Sequence, residues 1–165
     1  MADLLECLIQ VKGLRETCTR LQEMLRQHPM RLWLERPQAQ KWTPAEIVAH
    51  LADAELFFGL RLRLMLTGPE PLLPVFEQES LAARARYAEW PPLLALTRFR
   101  TRREETLELL ERCSAEDLSR TGKHPRRGVL TVADLVAIML AHDTVHLGQA
   151  RERLALASES QGAGA

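Results

Sequence analysis

Apolar residues recur at steps of three and four along the first part of the chain. Leu4, Leu8, Val11, Leu14, Cys18, Leu21 and Leu25 form one stripe, the pattern of an amphipathic helix. The spacing predicts a helix from about Asp3 to His28, stopped by Pro29. Residues 30–41 have no clear period and contain Pro37, so they read as a connection. A second helix then opens on a strong signal. Thr43 and Glu46 are spaced as a capping box, Pro44 takes the first helical position, and Trp42 and Ile47 are placed for a hydrophobic staple. This helix runs to about Leu66 and ends at Thr67-Gly68-Pro69. Residues 68–74 hold three prolines and read as a loop, and Glu77 to Trp90 as a short helix. Pro91 and Pro92 start a third helix that reaches about Cys113, with Leu94, Leu107 and Leu110 on its apolar side. Ser114 and Asp117 mark a brief helical turn, and residues 121–128 a loop. Thr131 and Asp134 form another capping box, and the fourth helix runs to about Ala157.

Four helices of roughly twenty residues or more, joined by loops, predict an all-α four-helix bundle over residues 1–157. Residues 158–165 are small and polar and are expected to fray as a flexible tail. The 165 residues include 22 basic and 22 acidic side chains, a formal net charge of zero. That balance gives no reason to expect nucleic acid or an anionic membrane as partner. Three cysteines without a CxxC spacing suit a reducing compartment. No leader pattern and no apolar run of membrane-spanning length is present, so a soluble, cytoplasmic protein is expected.

The chemistry concentrates in the fourth helix. His142 and His146 are four residues apart, hence on one face with side-chain roots about 5–6 Å apart. Leu135, Met139, His142, His146 and Gln149 step by four, three, four and three, which places the histidines on the core-facing stripe. His50, in the second helix, is the best third ligand, since bundles build metal sites from facing helices. Three imidazoles with an open fourth position are the layout of a reactive site. The alternative is a set of core or surface histidines satisfied by hydrogen bonds. Asp53 and Gln149 share faces with the ligands and are candidates to orient them, as are Glu46 and Asp143. Asp143 points about 100° from His142, so a solvated or dimer-face carboxylate is its default reading.

The stretch from Trp42 through Glu55 resembles the second-helix motif of the DinB superfamily. Residues 128–149, with a Gly-x-Leu-Thr start and an HDxxHxxQ end, resemble that family's closing motif. The resemblance covers roughly residues 3–157. It implies an up-down-down-up bundle, often dimeric, with a divalent ion held by His50, His142 and His146. It also implies kinship with YfiT, with bacillithiol transferases and with mycothiol-dependent isomerases, in which the metal activates a low-molecular-weight thiol or water. The nucleophile expected here is accordingly metal-bound water or thiol, and the metal zinc, nickel or iron. His124, in a His-Pro loop near a glycine, also matches the family pattern and is a candidate for the site mouth.

The arginines at 84, 86, 98, 100, 102 and 103 precede a run of glutamates and read as a solvated, salt-bridged face. Leu5, Ile9, Leu56, Leu60 and Leu64 exceed one narrow stripe and predict a homodimer interface. The leading functional reading is a metal-dependent enzyme acting on a small molecule, a thiol S-transferase or a hydrolase. The alternative is a non-catalytic, metal-stabilised binding or stress-response protein.

Overall fold

The computed structural model describes residues 4–162. Four long helices dominate: α1 (Leu4–Gln27), α3 (Pro44–Thr67), α5 (Pro92–Leu110) and α7 (Val132–Gly162). Between them lie α2 (Met30–Leu34), α4 (Gln78–Ala85), a 3₁₀ turn at Tyr87–Glu89, and α6 (Ala115–Leu118). Strands β1 (Thr121–His124) and β2 (Gly128–Thr131) pair as an antiparallel hairpin. The predicted helix start at Asp3 lies outside the described residues.

Pair contacts fix the helix directions. Along α3 and α5, Asp53 meets Arg102, Glu55 meets Arg103 and Gly59 lies against Thr106, so these two run parallel. Along α3 and α7 the order reverses: His50 meets His142 and His146, while Phe58 meets His142. Ile47 shares a small pocket with Gln149 and Arg153. Leu14 bonds Arg103, whereas Cys18, Gln22 and Leu25 face Leu93, Leu96 and Thr97, so α1 opposes α5. The topology is therefore up-down-down-up. The long 68–91 connection is what two parallel neighbours require.

Two capping boxes form as the sequence predicts. Glu46 N donates to Thr43 Oγ1 at 3.1 Å and Thr43 N to Glu46 at 2.6 Å. Asp134 N donates to Thr131 Oγ1 at 3.0 Å and Thr131 N to Asp134 at 2.8 Å. Such caps satisfy backbone donors that the first turn leaves open. The core stripe of α1 differs by one position from the expected one. Cys7, Val11, Leu14 and Leu21 are buried, while Leu8 is 54% exposed. One residue turns a helix by about 100°, and the four-three rhythm from Cys7 fits the core better.

On α5 the predicted marker Leu94 is exposed. Ala95, Leu96, Phe99, Arg103, Thr106, Leu107 and Leu110 face inward instead. Two polar residues on that face hide its periodicity. On α7 the core stripe is Leu135, Val136, Met139, Asp143, Leu147, Ala150 and Leu154. His142 and His146 flank it. Helix α7 also continues beyond Ala157 to Gly162, with Ser158 and Ser160 bonding back to the carbonyls of Leu154 and Leu156. The connection at residues 30–41 contains the one-turn α2, which seats Leu32 and Trp33 in the core.

Two apolar clusters fill the bundle. One gathers Leu21, Leu51, Phe99 and Leu147, the other Leu14, Phe58, Leu107 and Met139. At their boundary Arg103 crosses the interior. Its Nε and Nη2 donate to Glu55 at 2.9 and 2.7 Å, and its Nη1 and Nη2 donate to Asp143 at 2.6 and 3.0 Å. Nη1 also reaches the Leu14 carbonyl at 3.0 Å. This corrects two expectations. Arg103 is not part of a solvated face, and Asp143 is not a surface carboxylate: each is 1% exposed. Mutual pairing is what permits both charges inside. All four long helices meet on that one guanidinium, which fixes the relative heights of α3 and α7 and so of their histidines.

Candidate metal centre

His50 is the floor of the site. The capped start of α3 fixes its height, and Arg36 holds the cap by donating to both Glu46 oxygens at 2.7 and 2.8 Å. Glu46 thus serves the helix terminus and does not orient a ligand. The Trp42 ring lies 4.8 Å from the His50 ring and walls it from one side. Opposite, His142 and His146 project from α7 one turn apart.

The three imidazoles converge. His50 Nε2 and His142 Nε2 are 3.1 Å apart. Ring centroids of His50–His146 and His142–His146 lie at 4.6 and 4.4 Å. One ligand atom from each of the three lies within 4.8 Å of the others. Tetrahedral zinc with nitrogen ligands at about 2.0–2.1 Å places them roughly 3.3 Å apart, close to the 3.1 Å between His50 and His142. His146 Nδ1 contacts Gln149 Oε1 at 2.8 Å. Donation of that N–H leaves Nε2 as a lone pair aimed at the cluster, the tautomer that a metal needs. Asp53 is placed differently from expectation. Its oxygens accept from Tyr87 Oη at 3.0 Å and Arg102 Nη1 at 2.8 Å. Among the described residues the Nδ1 atoms of His50 and His142 are buried without a partner.

Burial also sets the protonation state. It pushes His50 down to about 3, helped by His146, and His142 down to about 2, helped by His146 and His50. His146 is lowered too, by burial, against the upward pull of Gln149 and Asp143. Three neutral imidazoles facing one point are a donor set for a divalent cation. The cysteines offer no competing nucleophile: burial raises Cys18 and Cys113 to about 11.

Above the histidines opens a cleft of about 850 Å³. Its walls are Phe58, Phe76, Ile138 and Val145, and its mouth carries Arg61, Glu77, His124, Arg126 and Arg127. The 121–128 segment, expected as a loop, forms the β hairpin that brings His124 there. Gly122 makes the fit possible: a Cβ there would meet Leu73 Cδ2 at 2.8 Å and Met65 Cγ at 3.0 Å. Lys123 exchanges backbone bonds with Pro71 and Leu73 at 2.8 Å each, so the proline-rich loop is tied to the hairpin. Arg120 donates to the carbonyls of Met65 and Gly68, closing the end of α3. Sequence reasoning missed Arg61 and Phe76. For Arg61 a signal existed: Ala54, Phe58 and Arg61 follow His50 at helical spacing on one face.

A sequence profile of the DinB superfamily matches residues 14–150. The chain belongs to that superfamily. A protein of Oceanobacillus iheyensis, named as a candidate metal-dependent hydrolase, is 27% identical over 106 residues. The match covers 64% of this chain and 61% of that relative's length. The fold is that of YfiT from Bacillus subtilis, described as a metal-dependent hydrolase candidate of unusual four-helix bundle topology. The TM-score is 0.84 at 16% identity, covering 98% of this chain and 91% of the other. A variant of a mycothiol-dependent maleylpyruvate isomerase superposes with a TM-score of 0.70 at 11% identity, covering 86% and 59% of the two chains. None of the helices in the described residues is long and apolar enough to cross a membrane.

Proposed function

We propose that His50, His142 and His146 hold one divalent metal ion and that the protein is a metal-dependent enzyme acting on a small molecule. The observation that carries this is the convergence of three neutral imidazoles at the floor of an open cleft. A divalent ion there supplies Lewis acidity, which makes water or a thiol nucleophilic near neutral pH. The chain's own part is positional. Gln149 orients His146, Trp42 shields His50, and the walls from Phe58, Phe76 and Val145 keep the reacting end of a substrate partly dry. Hydrolysis is favoured by the naming of the Oceanobacillus relative. Thiol transfer is the second form of the same reading, favoured by the fold shared with a mycothiol-dependent enzyme.

The non-catalytic alternative draws on one feature. Among the described residues lining the cleft, Glu77 is the single carboxylate, and it is paired with Arg126. Elemental analysis of the purified protein decides the metal among zinc, nickel and iron. An assay on ester, amide and thiol-acceptor panels, before and after chelation, then separates the readings. Activity that vanishes with the metal and returns with it supports the enzyme. Full turnover by metal-free protein, or a stoichiometric metal with no turnover on any panel, favours the alternative.

We place the protein in the cytoplasm on the strength of its three free cysteines. We also propose a homodimer. Leu5, Ile9, Leu56 and Leu60 are 45–65% exposed, whereas Leu64 is half-buried. Helices α1 and α3 lie diagonally across the bundle, so their exposed leucines form separate faces and one of the two is the interface. Light scattering at micromolar concentration tests this; a monomer refutes it.

A further inference from the structure

We infer that the mouth of the cleft is an anion-recognition pocket, so that the substrate is elongated and carries a carboxylate or phosphate at the end remote from the metal. The inference rests on the metal reading for what happens at the floor, and on a separate set of groups for the tail.

Arg61 is the centre of this pocket. It is 8% exposed, yet no carboxylate pairs with it among the described residues. Its Nε and Nη2 both donate to the Pro74 carbonyl, at 2.9 and 2.7 Å, and its guanidinium carbon lies 5.5 Å from the Phe58 ring centroid. The side chain is therefore held in place, with Nη1 left over on a residue that lines the cleft. A buried, oriented guanidinium is suited to a planar or tetrahedral anion. Arg127 lines the same mouth, is exposed, and has no acidic partner among the described residues. Burial and the Arg127 charge together lower the Arg61 pKa, as expected of two cations sharing one space.

The remaining charges do not cancel this pair. Arg126 is matched by Glu77, the one acid of the lining. His124 Nδ1 accepts from the Arg126 backbone N–H at 3.1 Å, and burial and the three arginines lower its pKa. His124 is thus a neutral, polar edge. The mouth keeps two uncompensated positive charges before any ion is counted at the floor. Arg61 stands eleven residues beyond His50 on α3, about 16 Å along the helix axis. Allowing for side-chain reach, the anionic tail sits on the order of 10 Å from the histidines. The apolar walls between them suit a chain of methylenes or a ring.

The test uses two probes that do not need a known substrate. Suberic acid monohydroxamate presents a metal-chelating end and a carboxylate end; its terminal-amide counterpart differs only in charge. Zinc-loaded protein should bind the carboxylate form about tenfold more tightly or better by calorimetry, and rising salt should shrink the preference. Arg127→Gln, and Arg61→Gln where it folds, should weaken the carboxylate form far more than the amide form and so remove the preference. A second arm needs no metal. Glutarate and glycerol phosphate, titrated into metal-free protein, should move the His124 ring resonances, and the tighter of the two names the anion. Failure of both hydroxamates with the His124 shifts retained would break the metal reading and leave the pocket standing. Equal affinity for the two hydroxamates, with no anion-dependent shift at His124, would overturn the pocket.

Discussion

Replacing Arg103 by methionine tests whether the buried ion network holds the bundle together. The substitution keeps apolar bulk but strands Glu55 and Asp143, whose side chains are 0% and 1% exposed. Five hydrogen bonds, four of them to carboxylates, disappear together. Breaking a buried pair by removing one partner costs about 3–5 kcal/mol. Two carboxylates depend on this guanidinium, so the upper end of that range is expected. Against a typical domain stability of about 5–15 kcal/mol, that is a large share. With a urea m-value of about 2 kcal/mol/M, the midpoint falls by roughly 2 M.

The pH dependence gives a second signature. Burial already raises the Glu55 pKa, against the pull of Arg103, so its ionisation opposes folding as pH rises through the raised value. Without Arg103 that value rises further, and the variant regains part of its loss below about pH 4.5, near the ordinary range of a carboxylate. The triple change Arg103→Met, Glu55→Leu, Asp143→Leu should lose far less than the single one. Equilibrium unfolding at pH 7 and pH 4.5 is the assay. A single-variant loss under about 1 kcal/mol at pH 7 would show that the network does not hold the helices.

Three further outcomes are expected. The metal-free protein loses stability as pH falls below about 6.5, because burial keeps His50 and His142 neutral in the fold while in the unfolded chain they take protons. For His50, held at about 3, the loss at pH 5 is about 2 kcal/mol, and an unchanged Tm between pH 7.5 and 5 would contradict it. Gln149→Leu removes the Nδ1 partner of His146 and should weaken zinc binding by about 10–100-fold in a competition titration, with unaltered helicity by circular dichroism; unchanged affinity would refute the role. Gly122→Ala pushes a methyl against Leu73 and Met65 and should cost about 1–3 kcal/mol in urea unfolding, whereas a neutral effect would mean the hairpin can move off α3.

The helices carrying the site were legible because their termini obey local chemistry. Thr43 and Glu46, or Thr131 and Asp134, need no tertiary information to start a helix. Spacing puts His142 and His146 on one helix face, but the choice of those two with His50 as a ligand set rests on the resemblance of both motifs to the DinB superfamily. What lay hidden depended on pairing across the fold. Arg103 sits in a run of arginines and glutamates whose default is solvation, and nothing local says that Glu55 and Asp143 await it inside. Asp143 reads as a surface carboxylate because it turns about 100° from His142; the Arg103 partner reverses that. The hairpin was read as a loop because Thr121-Gly122-Lys123-His124 lacks an alternating apolar pattern. Its pairing is completed by the proline-rich segment, far away in sequence. Arg61 escaped for a related reason, since the Pro74 carbonyl that holds its guanidinium beside Phe58 comes from a distant loop.

The central claim is that three histidines from two facing helices form one metal centre. X-ray absorption at the zinc edge, on protein loaded to one equivalent, tests it most directly. The account predicts nitrogen or oxygen scatterers at about 2.0–2.1 Å, imidazole multiple scattering from three rings, and loss of stoichiometric zinc in the His50→Ala, His142→Ala and His146→Ala proteins. A sulfur scatterer at about 2.3 Å, or full zinc retention in any of those three variants, would contradict it.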